Sequence, residues 1–118
     1  MGDTGSSTAD RMLAVLDVFS LERPAWSIED IARRLGYTDS STYRYVRSLL
    51  KCGLLTRVPG GQYVLGAKII ELDSLIRLSD PVTLAARDVL ERLSQETNCH
   101  TLLSSIHGAH VVNVLHVP

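Results

Sequence analysis

The order of signals between Ser27 and Leu65 constrains the fold of this chain more than any other feature of its sequence. Ser27 is a residue type that caps helix N-termini, and apolar residues at helical spacing follow it as far as Gly36, which suits the end of a helix. A second helical pattern begins shortly afterwards, at Asp39. Two helices joined by so short a glycine-containing turn predict a helix-turn-helix unit.

A two-stranded hairpin is predicted directly after this unit. Gly53 ends the helical pattern, and the β-rich run from Leu54 to Val58 is a strand candidate. Pro59-Gly60-Gly61 is a turn signal, after which Tyr63 to Leu65 returns as the second strand. A hairpin that follows the second helix of such a unit is typical of the wing of a winged helix-turn-helix domain, which we expect to span residues 10–66.

The segment before this domain carries little pattern. Residues 1–9 are small and polar, which predicts a disordered tail. A first helix is expected from Asp10 to about Ser20, because apolar residues recur there at helical spacing and Pro24 lies just beyond.

The segment after the wing predicts two further helices and a second hairpin. A linking helix over residues 67–79 has more apolar surface than a solvated helix carries, and Asp80 begins a fifth helix that ends near Thr97. Two β-rich runs from His100 to Val117 flank a turn at His107-Gly108-Ala109. The predicted fold class is therefore mainly α with a β wing, followed by the start of an incomplete α+β domain over residues 80–118.

That second hairpin has open edges, and an isolated two-stranded hairpin is marginally stable. Two explanations remain open at this point. Either the sequence is a truncated piece of a longer protein, or the hairpin packs on the fifth helix and on a partner subunit.

The charge of the chain is unevenly distributed. The formal net charge is −1, but six Lys and Arg residues between Arg33 and Arg57 face Asp39 alone. Such a basic stretch is typical of a surface that neutralises phosphates. Asp39, at the start of the third helix, either costs phosphate affinity or accepts a hydrogen bond from a cytosine amine.

The outward face of the third helix is the candidate DNA-reading surface, because its polar residues recur at spacings of three and four opposite the apolar stripe. Arg44 and Arg47 are long enough to reach guanine edges, and Tyr43 is suited to a phosphate. The short hydroxyl residues Ser40 and Ser41 allow close approach of the helix N-terminus to a phosphate. The candidate DNA-binding residues are Thr38, Ser40, Ser41, Tyr43, Arg44, Arg47, Lys51, Arg57 and Gln62.

The chain resembles the IclR (isocitrate lyase regulator) type of transcriptional regulators. The resemblance rests on DRMLAVLDVFS, SIEDIARRLGYTDSSTYRYVRSLLKCGLLTR, GQYVLGAKIIEL and PVTLAARDVLERLSQETNCHTLLSSIHGAHVVNVLHV. It implies a dimeric regulator, often a repressor, with a winged helix, a linking helix that helps dimerise and a GAF-like domain that binds a small molecule, of which only the start is present. The residues that it implies for dimerisation are Ile69, Ile70, Leu72, Leu75 and Ile76.

The resemblance implies double-stranded operator DNA and a homodimer or dimer of dimers as partners, with a small-molecule effector in a full-length form. No stretch is long and apolar enough for a membrane span, and no secretory signal is evident, so we expect a cytoplasmic location. The alternative function is a winged-helix module for protein association that does not bind DNA.

All four histidines lie between His100 and His116, next to Cys99, so a metal site must be weighed. Their spacing matches no recognised motif, and a turn that brings His107 near His110 offers only two ligands. We therefore expect no metal and no cofactor. No set of nucleophile, base and acid converges at a readable spacing, so an enzyme is not expected.

Overall fold

The structure is a computed structural model that describes residues 6–107 and 110–118. It is mainly helical with two small antiparallel sheets, which confirms the predicted fold class at this level. The elements are, in chain order, α1 (Thr8–Ala14), a 3₁₀ helix (Val15–Val18), α2 (Ile28–Leu35), α3 (Asp39–Lys51), β1 (Leu55–Val58), β2 (Gln62–Leu65), α4 (Ala67–Ser79), α5 (Pro81–Thr97), β3 (Thr101–His107) and β4 (His110–Val117). The chain divides between Glu71 and Leu72 into two compact units, which we call the first and the second unit.

The first helix begins earlier than the sequence pattern predicts. The Ser7 hydroxyl accepts a hydrogen bond from the Asp10 amide at 3.0 Å, and the Asp10 carboxylate accepts one from the Ser7 amide at 3.0 Å. This reciprocal pair is a capping box, so α1 starts at Thr8 and includes the last two residues of the predicted tail 1–9. The first five residues of that tail lie outside the described part of the chain.

A closed hydrophobic core holds the first unit together. The 3₁₀ helix, α2, α3 and β1 each contribute side chains that are almost completely buried. Removing one such side chain from water stabilises the fold by about 1.5–3 kcal/mol. The core consists of Val15, Val18, Trp26, Ile31, Tyr45, Val46, Leu49, Leu55 and Tyr63.

The helix-turn-helix unit begins and ends where the sequence predicts. The Ser27 hydroxyl accepts from the Asp30 amide at 3.1 Å, and Gly36 ends α2 in the left-handed conformation with a φ of 74°. Thr38 then caps α3, because its hydroxyl accepts from the Ser41 amide at 3.1 Å. The turn between the two helices is therefore fixed at both of its ends.

The predicted wing is also present. β1 and β2 pair antiparallel in a register that runs from Leu55 opposite Leu65 to Val58 opposite Gln62. Gly60 and Gly61 lie in the tight turn, with φ values of 88° and 70° that L side chains rarely adopt.

The wing leads directly into α4 through a close backbone contact. The Gly66 amide donates to the Leu54 carbonyl at 2.8 Å, and the Lys68 amide donates to the Gly53 carbonyl at 3.0 Å. A Cβ atom on Gly66 would lie 2.2 Å from the Gly53 oxygen, so only glycine fits there. The first turn of α4 is thereby fixed to Gly53, which lies two residues after the end of α3.

In the second unit, α5 packs on the hairpin of β3 and β4 through polar as well as apolar groups. The Asp80 carboxylate caps α5 by accepting from the Thr83 amide at 2.9 Å. The buried Ser94 hydroxyl donates to the Pro118 carbonyl at 2.8 Å, and the Thr101 hydroxyl donates to the Leu90 carbonyl at 2.9 Å. These bonds join the helix to β3 and to the residue that follows β4.

The β3–β4 hairpin contains one irregularity. Leu103 lies opposite Leu115 and Ser104 lies opposite Asn113, so Val114 has no residue opposite it. The Arg77 guanidinium of α4 donates a hydrogen bond to the carbonyl of Val114. Positions 108 and 109 of the predicted turn lie outside the described residues.

Candidate nucleic-acid interface

The helix α3 has two opposite faces. Thr42, Tyr45, Val46 and Leu49 are buried in the first unit. The opposite face is exposed along its whole length, as the spacing of its polar residues predicts. The exposed face consists of Ser40, Tyr43, Arg44, Arg47 and Lys51.

The N-terminal end of this face is ordered by local hydrogen bonds. The Thr38 hydroxyl is engaged as the cap of α3, and the Ser41 hydroxyl accepts from the Arg44 guanidinium at 3.3 Å. Arg44 also lies 5.9 Å from the centre of the Tyr45 ring. Thr38 and Ser41 therefore help to shape the helix start, and both remain at least partly exposed.

The wing and α3 meet in a small cleft. Tyr43 and Arg47 from α3 and Arg57 from β1 line a cavity of about 150 Å³. The Arg57 guanidinium lies 5.7 Å from the centre of the Tyr63 ring, close enough for a cation–π contact. The fold thus brings a wing cation to the same surface as the α3 cations. Gln62 is near the tip of the wing, half-buried, and is outside this cleft.

The cations of this surface differ from two cations on and before α2. Arg23 and Arg33 both form ion pairs with Asp30. Loss of hydration opposes ionisation of Asp30, but the hydrogen bonds from Arg23 and Arg33 outweigh it and hold the pKa of this carboxyl below its ordinary value. Arg47 and Lys51 have no hydrogen-bond or ion-pair partner among the residues that the structure describes. Their charges are therefore available to an anionic ligand.

Two supporting residues were missed by sequence reasoning. Trp26 forms a one-residue third strand beside the wing, because it exchanges backbone hydrogen bonds with Tyr63 at 3.0 and 2.7 Å. A single bridging residue leaves no periodicity, so only its large apolar ring between two helices was a signal.

The second missed residue is Tyr37, in the turn before α3. Its hydroxyl donates to the Arg11 carbonyl at 3.2 Å, and the Arg11 guanidinium lies 4.7 Å from the centre of its ring. The same ring makes an edge contact with Tyr45, with centres 5.7 Å apart. Tyr37 therefore joins α1 to α3. Its partner Arg11 lies 26 positions away in the sequence, so no local pattern could reveal this contact.

The residues predicted for dimerisation all lie on α4. Ile70, Leu72, Leu75 and Ile76 are exposed, between 43% and 71% of their surface, and Ile69 is half-buried. The helix thus carries the excess of exposed apolar surface that its sequence predicts.

The histidine-rich segment brings two rings together. The Nδ1 atom of His100 lies 3.1 Å from the Nε2 atom of His116. Within residues 6–107 and 110–118, no group of three His, Cys, Asp or Glu side chains could hold a metal ion. Cys52 and Cys99 are both exposed free thiols. No helix in the described part of the chain is long and apolar enough to cross a membrane.

A capped α2, a short turn, a basic outward face on α3 and a wing that shares a cleft with it define the first unit as a winged helix-turn-helix DNA-binding domain. Residues 8–59 match the family model of the IclR helix-turn-helix domain. This part of the chain therefore matches the helix-turn-helix domain of IclR-type transcriptional regulators, and the resemblance seen in the sequence is confirmed.

Individual relatives agree with this assignment. The chain is 28% identical over 102 residues to the HTH-type transcriptional regulator XynR of Escherichia coli strain K12. The aligned region covers 86% of this chain and 40% of XynR. It is also similar to the crystal structure of a proposed IclR transcriptional regulator from Silicibacter sp. TM1040, with a TM-score of 0.78, 29% identity and coverage of 94% of this chain and 44% of that one.

A third relative is an IclR homologue from Microbacterium hydrocarbonoxydans, solved in complex with 4-hydroxybenzoate, with a TM-score of 0.71, 26% identity and coverage of 94% and 46% of the two chains. The present chain thus spans less than half the length of each of these three relatives.

Proposed function

We propose that the first unit binds a specific near-palindromic operator, and that the whole protein is a cytoplasmic transcriptional repressor that acts as a homodimer. The cleft where Arg47 of α3 and Arg57 of the wing converge carries this proposal. In the proposed complex with DNA, α3 lies in the major groove, with Arg44 and Arg47 at guanine edges and Tyr43 at a phosphate. The proposed contacts are Thr38, Ser40, Ser41, Tyr43, Arg44, Arg47, Lys51, Arg57 and Gln62.

The dimer in this proposal forms through α4. Its exposed side chains Ile70, Leu72 and Leu75 are apolar surface that pairing of two copies would remove from water. Two recognition helices related by a two-fold axis would read half-sites about 34–36 Å apart, or a multiple of that distance. In this proposal residues 10–66 read DNA, residues 67–79 link and dimerise, and residues 80–118 begin the effector-binding domain.

Small-molecule control is proposed from the relatives. The Microbacterium homologue was solved with 4-hydroxybenzoate. We expect a small effector to act on this protein also, through a domain of which residues 80–118 are the start.

The test is DNA binding by the 118-residue chain and by its Arg44→Ala/Arg47→Ala variant. An operator recovered by unbiased DNA selection is labelled, and its affinity is measured by fluorescence anisotropy at two salt concentrations. The variant should bind it about 100-fold more weakly, since two guanine contacts are lost. Affinity of the unchanged chain should fall steeply between about 50 and 200 mM salt, since several phosphates are neutralised.

The matched control is Arg87→Ala/Arg92→Ala, which removes two exposed cations from α5 and should leave operator affinity unchanged. Equal binding by the Arg44/Arg47 variant would show that the recognition face is wrongly assigned. Recovery of no enriched DNA, together with a stable protein complex, would favour the protein-association alternative.

A further inference from the structure

Asp39 is a carboxylate without an ion-pair partner at the N-terminal end of α3, the proposed recognition helix. It is exposed in the first turn of α3. It has no hydrogen-bond or ion-pair partner among the residues that the structure describes. It is also the one acid in the basic stretch from Arg33 to Arg57.

Apart from its N-terminal dipole, the helix offers this charge no cationic side chain as a partner. Side chains three and four residues apart are neighbours on a helix, and for Asp39 these are Thr42 and Tyr43, which carry no positive charge. Thr42 is moreover fully buried. Arg44, the next cation along α3, is held by the Ser41 hydroxyl instead.

Asp39 lies next to the DNA-reading surface of α3. Asp39 lies one helical turn before Tyr43 on the same ridge of α3, and Tyr43 lines the cleft between helix and wing. The first turn of a recognition helix is the part that most often reaches base edges. A carboxylate there is repelled by every phosphate, so it weakens binding to all sequences unless a base supplies a donor.

The major-groove edges of the four bases select one partner. Guanine presents two acceptors, and thymine presents an acceptor beside a methyl group. Adenine presents a donor next to an acceptor, and a carboxylate can accept from the donor but cannot donate to the acceptor. Cytosine presents its N4 amino group alone, and this donor fits a carboxylate acceptor.

We propose that Asp39 is a specificity-determining residue that accepts a hydrogen bond from the N4 amino group of one cytosine in each half-site. This inference rests on the proposed function, and it assigns to Asp39 a role that the cations of α3 cannot perform. Arg44 and Arg47 donate to guanine edges and also attract phosphates of any sequence, whereas the carboxylate of Asp39 weakens binding to every sequence that lacks the cytosine.

The experiment is DNA selection from a random pool with the 118-residue chain and with its Asp39→Ala and Asp39→Asn variants. The unchanged chain should enrich cytosine at one position of each half-site. Asp39→Ala should lose the preference at that position alone, and its affinity for unrelated duplex DNA should rise severalfold because a repulsive charge is gone. Asp39→Asn should shift the preference toward adenine, which matches an amide.

The matched control is Glu29→Ala. Glu29 is also an exposed carboxylate in the first turn of a helix, α2, so its removal has the same effect on a helix N-terminus. This variant should keep the selected cytosine.

The outcomes separate the two proposals. If the unchanged chain selects no sequence at all, the proposed function fails. If it selects a motif that Asp39→Ala reproduces at every position, the proposed function stands and the role of Asp39 is wrong. The same conclusion follows if the position that loses its preference is an A·T pair, because such a pair has no cytosine on either strand.

Discussion

The two units of this chain bury different kinds of side chain. The first unit closes around an apolar core to which the 3₁₀ helix, two α-helices and both wing strands contribute. In the second unit, Leu115 is the one buried hydrophobic residue among those whose side chains the structure describes, and Thr83 and Ser94 are the other buried side chains in that set. Meanwhile Val82, Val89 and Leu93 of α5 are at least 42% exposed.

This difference in burial fits two different tasks, DNA recognition by the first unit and association with other surfaces by the second. A surface that reads DNA must be rigid on its own, because a bond to a base edge depends on placement of a side chain by its core. Several apolar side chains of the second unit, among them Val82, Val89 and Leu93, are exposed and available to other surfaces. Apolar residues thus stabilise the first unit internally, and we expect them to stabilise the second through association.

The largest expected effect is in the closed core. Leu49→Ala, at a residue 1% exposed, should lower the free energy of unfolding of the first unit by about 2–5 kcal/mol, because it leaves a cavity. Trp26 is the only tryptophan of the chain and is buried in this core, so its fluorescence reports the transition during chemical denaturation.

The control is Leu21→Ala, which makes the same chemical change at a residue 97% exposed in the same unit. It should alter the unfolding free energy by less than about 0.5 kcal/mol. Similar losses from both variants would remove the contrast between a closed core and open surfaces.

A smaller effect is expected on assembly. Leu72→Ser/Leu75→Ser should weaken self-association of the chain by about tenfold or more in sedimentation experiments, because two exposed apolar side chains of α4 become polar. The Trp26 transition should change little. Leu21→Ser is the control, as an exposed leucine outside α4. A chain that remains monomeric at high concentration would contradict a dimer formed through α4.

The smallest effect is expected at the cap of α5. Hydrogen bonds from the Thr83 hydroxyl and backbone amide hold the pKa of Asp80 below its ordinary value. A carboxyl with a lowered folded-state pKa stabilises the fold above its unfolded pKa of about 4, and this contribution disappears as the pH falls through the folded pKa.

Asp80→Asn retains a capping side chain but does not titrate. It should lower the melting temperature of the second unit, measured by circular dichroism, by a few degrees at neutral pH. The difference from the unchanged chain should vanish as the pH falls below about 4. A difference that is constant with pH would mean that the charge of Asp80 is unimportant.

The helix caps and the wing turn of the first unit could be predicted from the sequence because they depend on local interactions. Ser27, Gly36 and the turn at Gly60-Gly61 each depend on the chemistry of a few neighbouring residues, and the structure has all three in the predicted roles. The start of α1 was missed because Ser7 and Asp10 form their capping box in a run of small polar residues that resembles a tail.

What could not be predicted depends on distant contacts. Periodicity shows which residues share a helix face, but it does not show what covers that face. The fifth helix illustrates this, because it turns Thr83 and Ser94 inward and leaves Val89 and Leu93 exposed. The convergence of Arg47 and Arg57 in one cleft likewise required the fold, although both residues were predicted to contact DNA.

The close contact between Gly66 and Gly53 has a consequence for operator geometry. Because the start of α4 is fixed by backbone atoms to the segment after α3, Ile69 and Ile70 in its first turn keep a set orientation to α3, and a dimer paired through them would present its two α3 helices at a set rotational phase. One residue inserted after Gly66 would turn α4 by about 100 degrees relative to the wing. In the proposed dimer, both DNA-binding domains would stay intact but would no longer match the helical repeat of the proposed operator.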